Sequence, residues 1–449
     1  MTRSRIQVSV YLAIFLVVAA ACGQKPYISD QPIPPQPVVM ALPAGATVDP
    51  ETGQIVDAEG NVIGDVSSLG EGATVAGSSQ GVGPAGAADG GTAVAPRRIG
   101  RAEPTGGNAS GVADTTIKIG GHAPLTGAAP IPSDSAQKGA DLYWRWLAEN
   151  NDEINGRDVE VILRNDNYNP SQAVAVCKEM VEKDHVFLLF GFAGTDQIQA
   201  CARYAASVGV PYVSVGVTEA GLSELPNYLS VSLTYPEQAP LLADLLTSRL
   251  GAREEKNGML RFNTPNFEDA HDAFVQAMDQ NGASLAYDSA VSKGAGTADA
   301  RSAVQAMKSR GIENVYVLTS PVWFLQLLQE ARTQQYEPQW VGVGITKALD
   351  TVASVGCRNG TLNKAKFFSP FPAWAEIDRY DDEFKQAVRA VYPDKGEGDD
   401  IMVIGWGMAK VIEPLLDAPG RELTRERFLY FAERERGIDT GVYPPVSFT

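Results

Sequence analysis

From Asp114 onward, short apolar runs of strand length alternate with stretches whose apolar residues recur at helical spacing, and few architectures satisfy that pattern. Thr116-Ile117-Lys118-Ile119-Gly120 alternates as a strand does, and Gln137 to Leu147 carries the helical period. Val159-Glu160-Val161-Ile162-Leu163 reads as a second strand, followed by a helix over 171–182. Val186-Phe187-Leu188-Leu189-Phe190 is apolar throughout, as a strand covered on both faces requires. A helix over 196–208 and a strand at 211–215 come next. Strands joined through single helices pair in parallel within a doubly wound layer structure.

The alternation then begins again. A short strand at 228–232 and a helix over 236–250 lead into strands at 258–262, 283–287, 315–318 and 340–343. Helices over 268–280, 298–310 and 323–332 lie between them. Two α/β units of about 120 residues each exceed what one hydrophobic core comfortably holds. The predicted fold class is therefore α/β, with two Rossmann-like doubly wound lobes joined by a hinge. Ligands of open α/β sheets lie beyond the carboxyl ends of the strands, which places a site in the cleft between facing lobes.

The residues before Asp114 have a different character. Arg3 and Arg5 precede an apolar run from Val8 to Val18, and Ala19-Ala20-Ala21 leads to Cys22. A basic start, an apolar stretch short for a membrane span and a small-residue exit describe a secretory signal over 1–22. The cysteine directly after the alanines resembles a bacterial lipobox, which implies lipidation of Cys22 and a membrane anchor. Between 23 and 112, Pro, Gly, Ala and Ser dominate, and the segment offers too little apolar surface to offset its ordering entropy. It is expected to be a disordered tether. One echo within it, Gly53 to Asp57 and Gly60 to Asp65, has the pattern of a marginal hairpin. The net charge of −17 excludes the basic face that nucleic-acid binding needs.

Several stretches, in order and spacing, resemble the type I periplasmic solute-binding proteins, the branched-chain amino-acid receptor family of ABC transporters. Ile117 to Gly127 looks like that family's first strand and ligand loop, and Asn165-Asp166-Asn167-Tyr168-Asn169-Pro170 with Ala173-Val174 resembles the segment after its second strand. Val186 to Gly191 and Gly209 to Ser214 match its third and fourth strands. The resemblance implies lobes over 113–233 plus 370–436 and 234–369 plus 437–449, crossing near Ser232–Tyr235, Phe367–Ser369 and 437–442. It also implies a pocket. In the first lobe Leu125, Thr126, Phe192, Gly194, Thr195, Asp196, Val217 and Thr218 are candidates, and in the second Tyr235, Phe267, Ser320, Trp323 and Gly344. A ligand carboxylate would sit on the helix start at Thr195, where unpaired backbone N–H groups and the helix dipole favour an anion. Capping alone also explains Thr195 and Thr218, and core packing explains Phe267 and Trp323. The chain departs from the amino-acid binders at Gly344-Ile345-Thr346, where no acid is available for a ligand ammonium.

Cys177 and Cys201 fall on the helices after the second and third strands. A sheet order of 2-1-3-4 sets these helices side by side on one face, where a disulfide is sterically possible and two buried thiols are the alternative. Cys357 is left as a free thiol. His122, His185 and His271 are far apart and show no metal-ligand spacing, and no nucleophile elbow, P-loop or dinucleotide fingerprint is present. The expectation is therefore a non-enzyme without cofactor or metal. It would be an exported, membrane-anchored protein that captures a small solute, amino acid or amide among the options, for an ABC permease. A ligand-sensing receptor of the same fold is the alternative.

Overall fold

The computed structural model describes residues 107–449 apart from 128, 215–220, 223, 252–255, 344–351, 354–355, 359 and 449, together with the backbone of a few short strands before residue 76. The chain divides into two units, one of Met1–Pro32 with Ala102–Thr449 and the other of Ile33–Arg101. Within Ile33–Arg101, Thr47–Val48, Gln54–Val56 and Val62–Asp65 form a small antiparallel sheet that includes the hairpin echo. Cys22, the residue expected to be lipidated, lies outside the described residues.

The larger unit holds two sheets of the same parallel topology. The first comprises β1 (Thr116–Ala123), β2 (Asp158–Asn165), β3 (Leu188–Gly191), β4 (Tyr212–Ser214) and β5 (Tyr228–Ser230), in the spatial order β5-β4-β3-β1-β2. The second comprises β6 (Asn257–Phe262), β7 (Tyr287–Val291), β8 (Asn314–Leu318), β9 (Gln339–Val343) and β10 (Lys366–Ser369), in the order β10-β9-β8-β6-β7, with Val17–Ala20 antiparallel beside β10. Between the first strands run α1 (Ser133–Glu149), α2 (Pro170–Glu182) and α3 (Thr195–Ser207). The second lobe adds α4 (Tyr235–Asp244), α5 (Pro265–Gln280), α6 (Thr297–Ser309) and α7 (Pro321–Thr333). The chain then continues through α8 (Phe384–Val391), α9 (Asp400–Asp417) and α10 (Arg425–Ala432).

Local chemistry explains many of the helix boundaries. Asn169, Ser320, Asp399 and Thr424 each accept a first-turn N–H from their side chain, and Thr234 with Glu237 closes a reciprocal capping box on α4. The fully buried β3 needs cover on both faces. One face of the first sheet carries a small core with Cys177, Met180, Cys201 and Tyr212. The other carries a larger core in which Trp144 of α1 joins Met402, Trp406 and Val411 of α9. Arg425 fastens α10 to the sheet by donating to the Phe187 and Val186 carbonyls at 2.9 and 2.8 Å.

The strand at Tyr228 pairs with β4 and completes the first sheet. Three details differ from expectation. The strand expected at 283–287 runs instead from Tyr287 to Val291, because Ala283 N still bonds to Met278 O at the end of α5 and the ladder opens at Ala286. The tail at 437–449 does not return to the second lobe: Ile438, Val442, Tyr443, Val446 and Phe448 all join the first lobe's core. Cys357 is a disulfide cysteine rather than a free thiol. Cys177 and Cys201 are bridged with their Cα atoms 6.2 Å apart. Among the described residues, no helix is long and apolar enough to cross a membrane.

Where α1 meets α9 the backbones nearly touch. A Cβ on Gly405 would lie 2.1 Å from the Gly139 carbonyl oxygen, so only glycine allows this approach. Gly405→Ala is expected to cost about 1–3 kcal/mol, read as a lower urea midpoint at unchanged slope. Replacing both Cys177 and Cys201 by Ala should cost about 2–4 kcal/mol in the same measurement, because the bridge restricts the unfolded chain.

Candidate functional site

The carboxyl ends of β1 and β3 open onto a cleft with about 580 Å³ of unfilled space, part of it open to solvent. The first lobe contributes Pro124, Ala129 and Ile131 after β1, Tyr168 after β2, and Phe192 to Thr195 with Ile198 after β3. The second lobe contributes Tyr235, Phe267 and Thr319 to Pro321. Tyr235 and Phe267 meet edge-on with ring centroids 5.2 Å apart, giving one wall an aromatic corner. No Asp, Glu, Lys, Arg or His is among these lining residues.

Of the helices that begin at this cleft, α4 and α7 are capped by Thr234 and Ser320, whereas α3 and α5, like α1 and α6, have no side-chain cap. No side chain caps α3, whose N-cap is Gly194 with φ 90°, and none caps α5, which follows Thr264. Uncapped first-turn N–H groups and the positive end of the helix dipole attract an acceptor, most strongly an anion. Gln197, in the first turn of α3, is fully buried, and its amide has no hydrogen-bond partner among the described residues. A buried amide left unpaired is costly, so water or a bound molecule is its natural partner.

A buried chain supports the first-lobe loops. His122, at the end of β1, sits between Asp166 and Tyr212 with no solvent exposure. Its Nδ1 lies 2.8 Å from Asp166 Oδ2 and its Nε2 lies 2.7 Å from the Tyr212 hydroxyl. Burial holds the proton on Tyr212 by raising its pKa well above the ordinary tyrosine value, with the nearby Tyr228 and Asp166 adding to the effect. In the tautomer with the proton on Nδ1, the ring donates to the carboxylate and the hydroxyl donates to Nε2. The other oxygen of Asp166 accepts the Tyr168 N–H at 2.9 Å and so holds the loop that presents the Tyr168 ring. His122 also lies with Cys177 and Cys201 in a group whose donor atoms are within 4.8 Å of one another, but the two sulfurs are bonded to each other.

Of the residues expected at the site, Phe192, Gly194, Thr195, Tyr235, Phe267 and Ser320 line the cleft, although the Ser320 hydroxyl is engaged in capping α7. Leu125 and Thr126 do not. Their N–H groups donate to Asn165 Oδ1 at 3.0 and 3.2 Å, tying the loop after β1 to the one after β2. Trp323 is core: it packs on Phe262 with centroids 5.6 Å apart and donates its indole N–H to the Gly296 carbonyl. Asp196 does not line the cleft; its carboxylate pairs with Lys293 and accepts from Asn266 Nδ2 at 3.0 Å. Val217, Thr218 and Gly344 lie outside the described residues. Tyr168, Ile131 and Thr319 were not singled out in the sequence, where an aromatic or apolar residue in a loop carries no periodic signal.

The family model described as a periplasmic binding protein matches residues 116–449. No curated protein matches the sequence. Among solved structures, a fatty acid ABC transporter substrate-binding protein from Thermomonospora curvata is 19% identical with a TM-score of 0.66, covering 76% of this chain and 87% of its own. The branched-chain amino acid binding protein LivJ of Streptococcus pneumoniae, in complex with isoleucine, is 18% identical at a TM-score of 0.61, covering 75% and 92%. A solute-binding protein of Rhodopseudomonas palustris in complex with 3,4-dihydroxybenzoic acid is 17% identical at 0.59, covering 72% and 86%. At these identities the likeness is one of fold.

Asp166→Ala would leave His122 Nδ1 and the Tyr168 N–H without their acceptor, an expected loss of about 2–3 kcal/mol in chemical unfolding. Gly194→Ala would force an alanine to φ 90° with its Cβ 2.5 Å from Gln197 Oε1. It should weaken binding at the cleft by at least about tenfold, measured by calorimetry, because the uncapped helix start is displaced.

Proposed function

The chain belongs to the periplasmic binding protein family, and from that premise we propose that its cleft captures a small apolar acid outside the cytoplasm for delivery to an ABC importer. The single observation that carries the ligand class is the lining. Among the described residues it is mostly apolar and aromatic, carries no acidic or basic side chain, and ends on the uncapped start of α3. A carboxylate suits that helix start, and an apolar body suits Ile131, Phe192, Ile198 and the Tyr235–Phe267 corner. An α-ammonium group would enter the same space without a counter-charge among the described lining residues, which costs affinity. The known binders of similar fold include one solved with 3,4-dihydroxybenzoic acid and one with isoleucine, so the fold itself admits both chemistries.

A thermal-shift panel of benzoate, benzamide, octanoate, leucine and phenylalanine tests the reading. At a hundredfold excess over Kd a ligand should raise Tm by about 5 °C. The acids are expected to do so and the amide and amino acids to fall well short; a larger shift with leucine than with either acid would sink the assignment.

The N-terminal arrangement of Arg3, Arg5, the apolar run and Cys22 supports export with a lipid anchor at Cys22; a thioether at that sulfur excludes a disulfide there, so in the lipidated protein Cys357 would be left as a thiol. Cleavage before that cysteine would remove Val17–Ala20 and leave β10 as the edge of the second sheet. Cys22→Ser is expected to move the protein from the membrane fraction to the soluble exported fraction, with solute affinity unchanged.

A further inference from the structure

Lys293 stands in the turn after β7, on the second lobe, and its ammonium group reaches the first. It pairs with the Asp196 carboxylate and lies 4.8 Å from the centroid of the Tyr168 ring. The same carboxylate accepts from Asn266 Nδ2, at the start of α5. Two groups from one lobe thus converge on two from the other. Tyr168 lines the cleft, and Asp196 and Asn266 are chain neighbours of the lining residues Thr195 and Phe267. The Lys293 and Asp196 side chains are only 27% and 23% exposed, so solvent and salt screen the pair less than an ordinary surface pair.

The seat for this lysine is built rather than incidental. Tyr168 holds φ 55° and its neighbour Asn167 φ 56°, a left-handed conformation that is unfavourable for a bulky side chain. The Asp166 carboxylate, itself held by buried His122, fixes that conformation through the Tyr168 N–H. The ring is therefore presented to the cation by a rigid support, and ammonium over an aromatic face is attractive.

We propose that Lys293 is a positioning residue for solute capture: it latches the second lobe to Asp196 and Tyr168 and, by cancelling the Asp196 charge, withholds that acid from a ligand ammonium. This deepens the reading of the cleft as an acid-binding site and rests on it for the second half. The latch half needs no ligand. A lobe contact that favours closure raises the closed population of the free protein, and a ligand then binds a state already partly populated.

The experiment uses the full chain with dyes on non-natural residues at Val208 and Gln280, one exposed site on each lobe. Single-molecule energy transfer without ligand should show the closed-to-open ratio falling about fivefold in Lys293→Met and in Asp196→Asn. The charge exchange Asp196→Lys with Lys293→Asp should recover most of it, which a merely structural role for either side chain would not allow. Single variants that leave the ratio unchanged, or an exchange that fails to recover it in a folded protein, overturn the latch. The second arm compares 3-phenylpropanoate with phenylalanine, which differ by the ammonium group alone. Lys293→Met should shift the ratio of their dissociation constants about tenfold toward phenylalanine, and adding Asp196→Asn should abolish that shift. An unmoved ratio overturns the charge-withholding half. If the wild type binds neither probe while its lobes respond to the variants as expected, the ligand class fails and the latch stands.

Discussion

The structure turns on one requirement: a parallel sheet must be covered on both faces. In the first lobe, α2 and α3 cover one side with the core around the Cys177–Cys201 bridge. On the other side α1 is joined by a helix from far down the chain, α9, and the two approach closely enough that glycine is required at 405. To deliver that helix the chain must leave the first lobe, build the second, and come back. The return is what makes a two-lobed molecule, and the gap between the lobes is what makes a binding site.

The same economy governs the helix ends. Five helices are closed by the side chains of Asn169, Thr234, Ser320, Asp399 or Thr424, and two of these, α4 and α7, start at the cleft. Also at the cleft, α3 is left open and α5 has no side-chain cap, while the buried Gln197 amide lacks a partner among the described residues. Unsatisfied polar groups are costly where nothing binds and useful where something does. Their presence beside an apolar lining describes a site that is dry along its walls and polar at one end, which suits a molecule built the same way.

Much of the first lobe was legible in the sequence because its strands are short apolar runs bounded by polar turns and its helices carry a clear apolar period. The site residues at loop ends, Phe192, Gly194 and Thr195 among them, came from the family resemblance rather than from the local pattern, and they line the cleft just past the end of a strand. Other features left no local signal. Nearly every residue of α9 is buried, so it has no polar face to give it a period, and α8 and α10 are only eight residues long. Trp323 and Phe267 both stand near helix starts beside the cleft, yet one packs inward and the other lines it, a distinction set by the neighbouring helix rather than by either local sequence. Asp196 looked like a ligand group because its partner lies almost a hundred residues away, in a turn with no motif of its own. The tail was assigned to the second lobe by the resemblance alone, and its apolar residues instead found the first lobe's core.

That tail has a mechanical consequence. With 438–448 packed in the first lobe, the chain from residue 107 onward passes between lobes twice, after β5 and after β10. Three tethers would pin a plane, whereas two points define only an axle. Rotation about that axle is the soft motion, and the backbone itself offers little resistance to it. Whatever sets the angle of the two halves must therefore act far from the axle, at the rim, where a single side-chain contact has the longest lever arm.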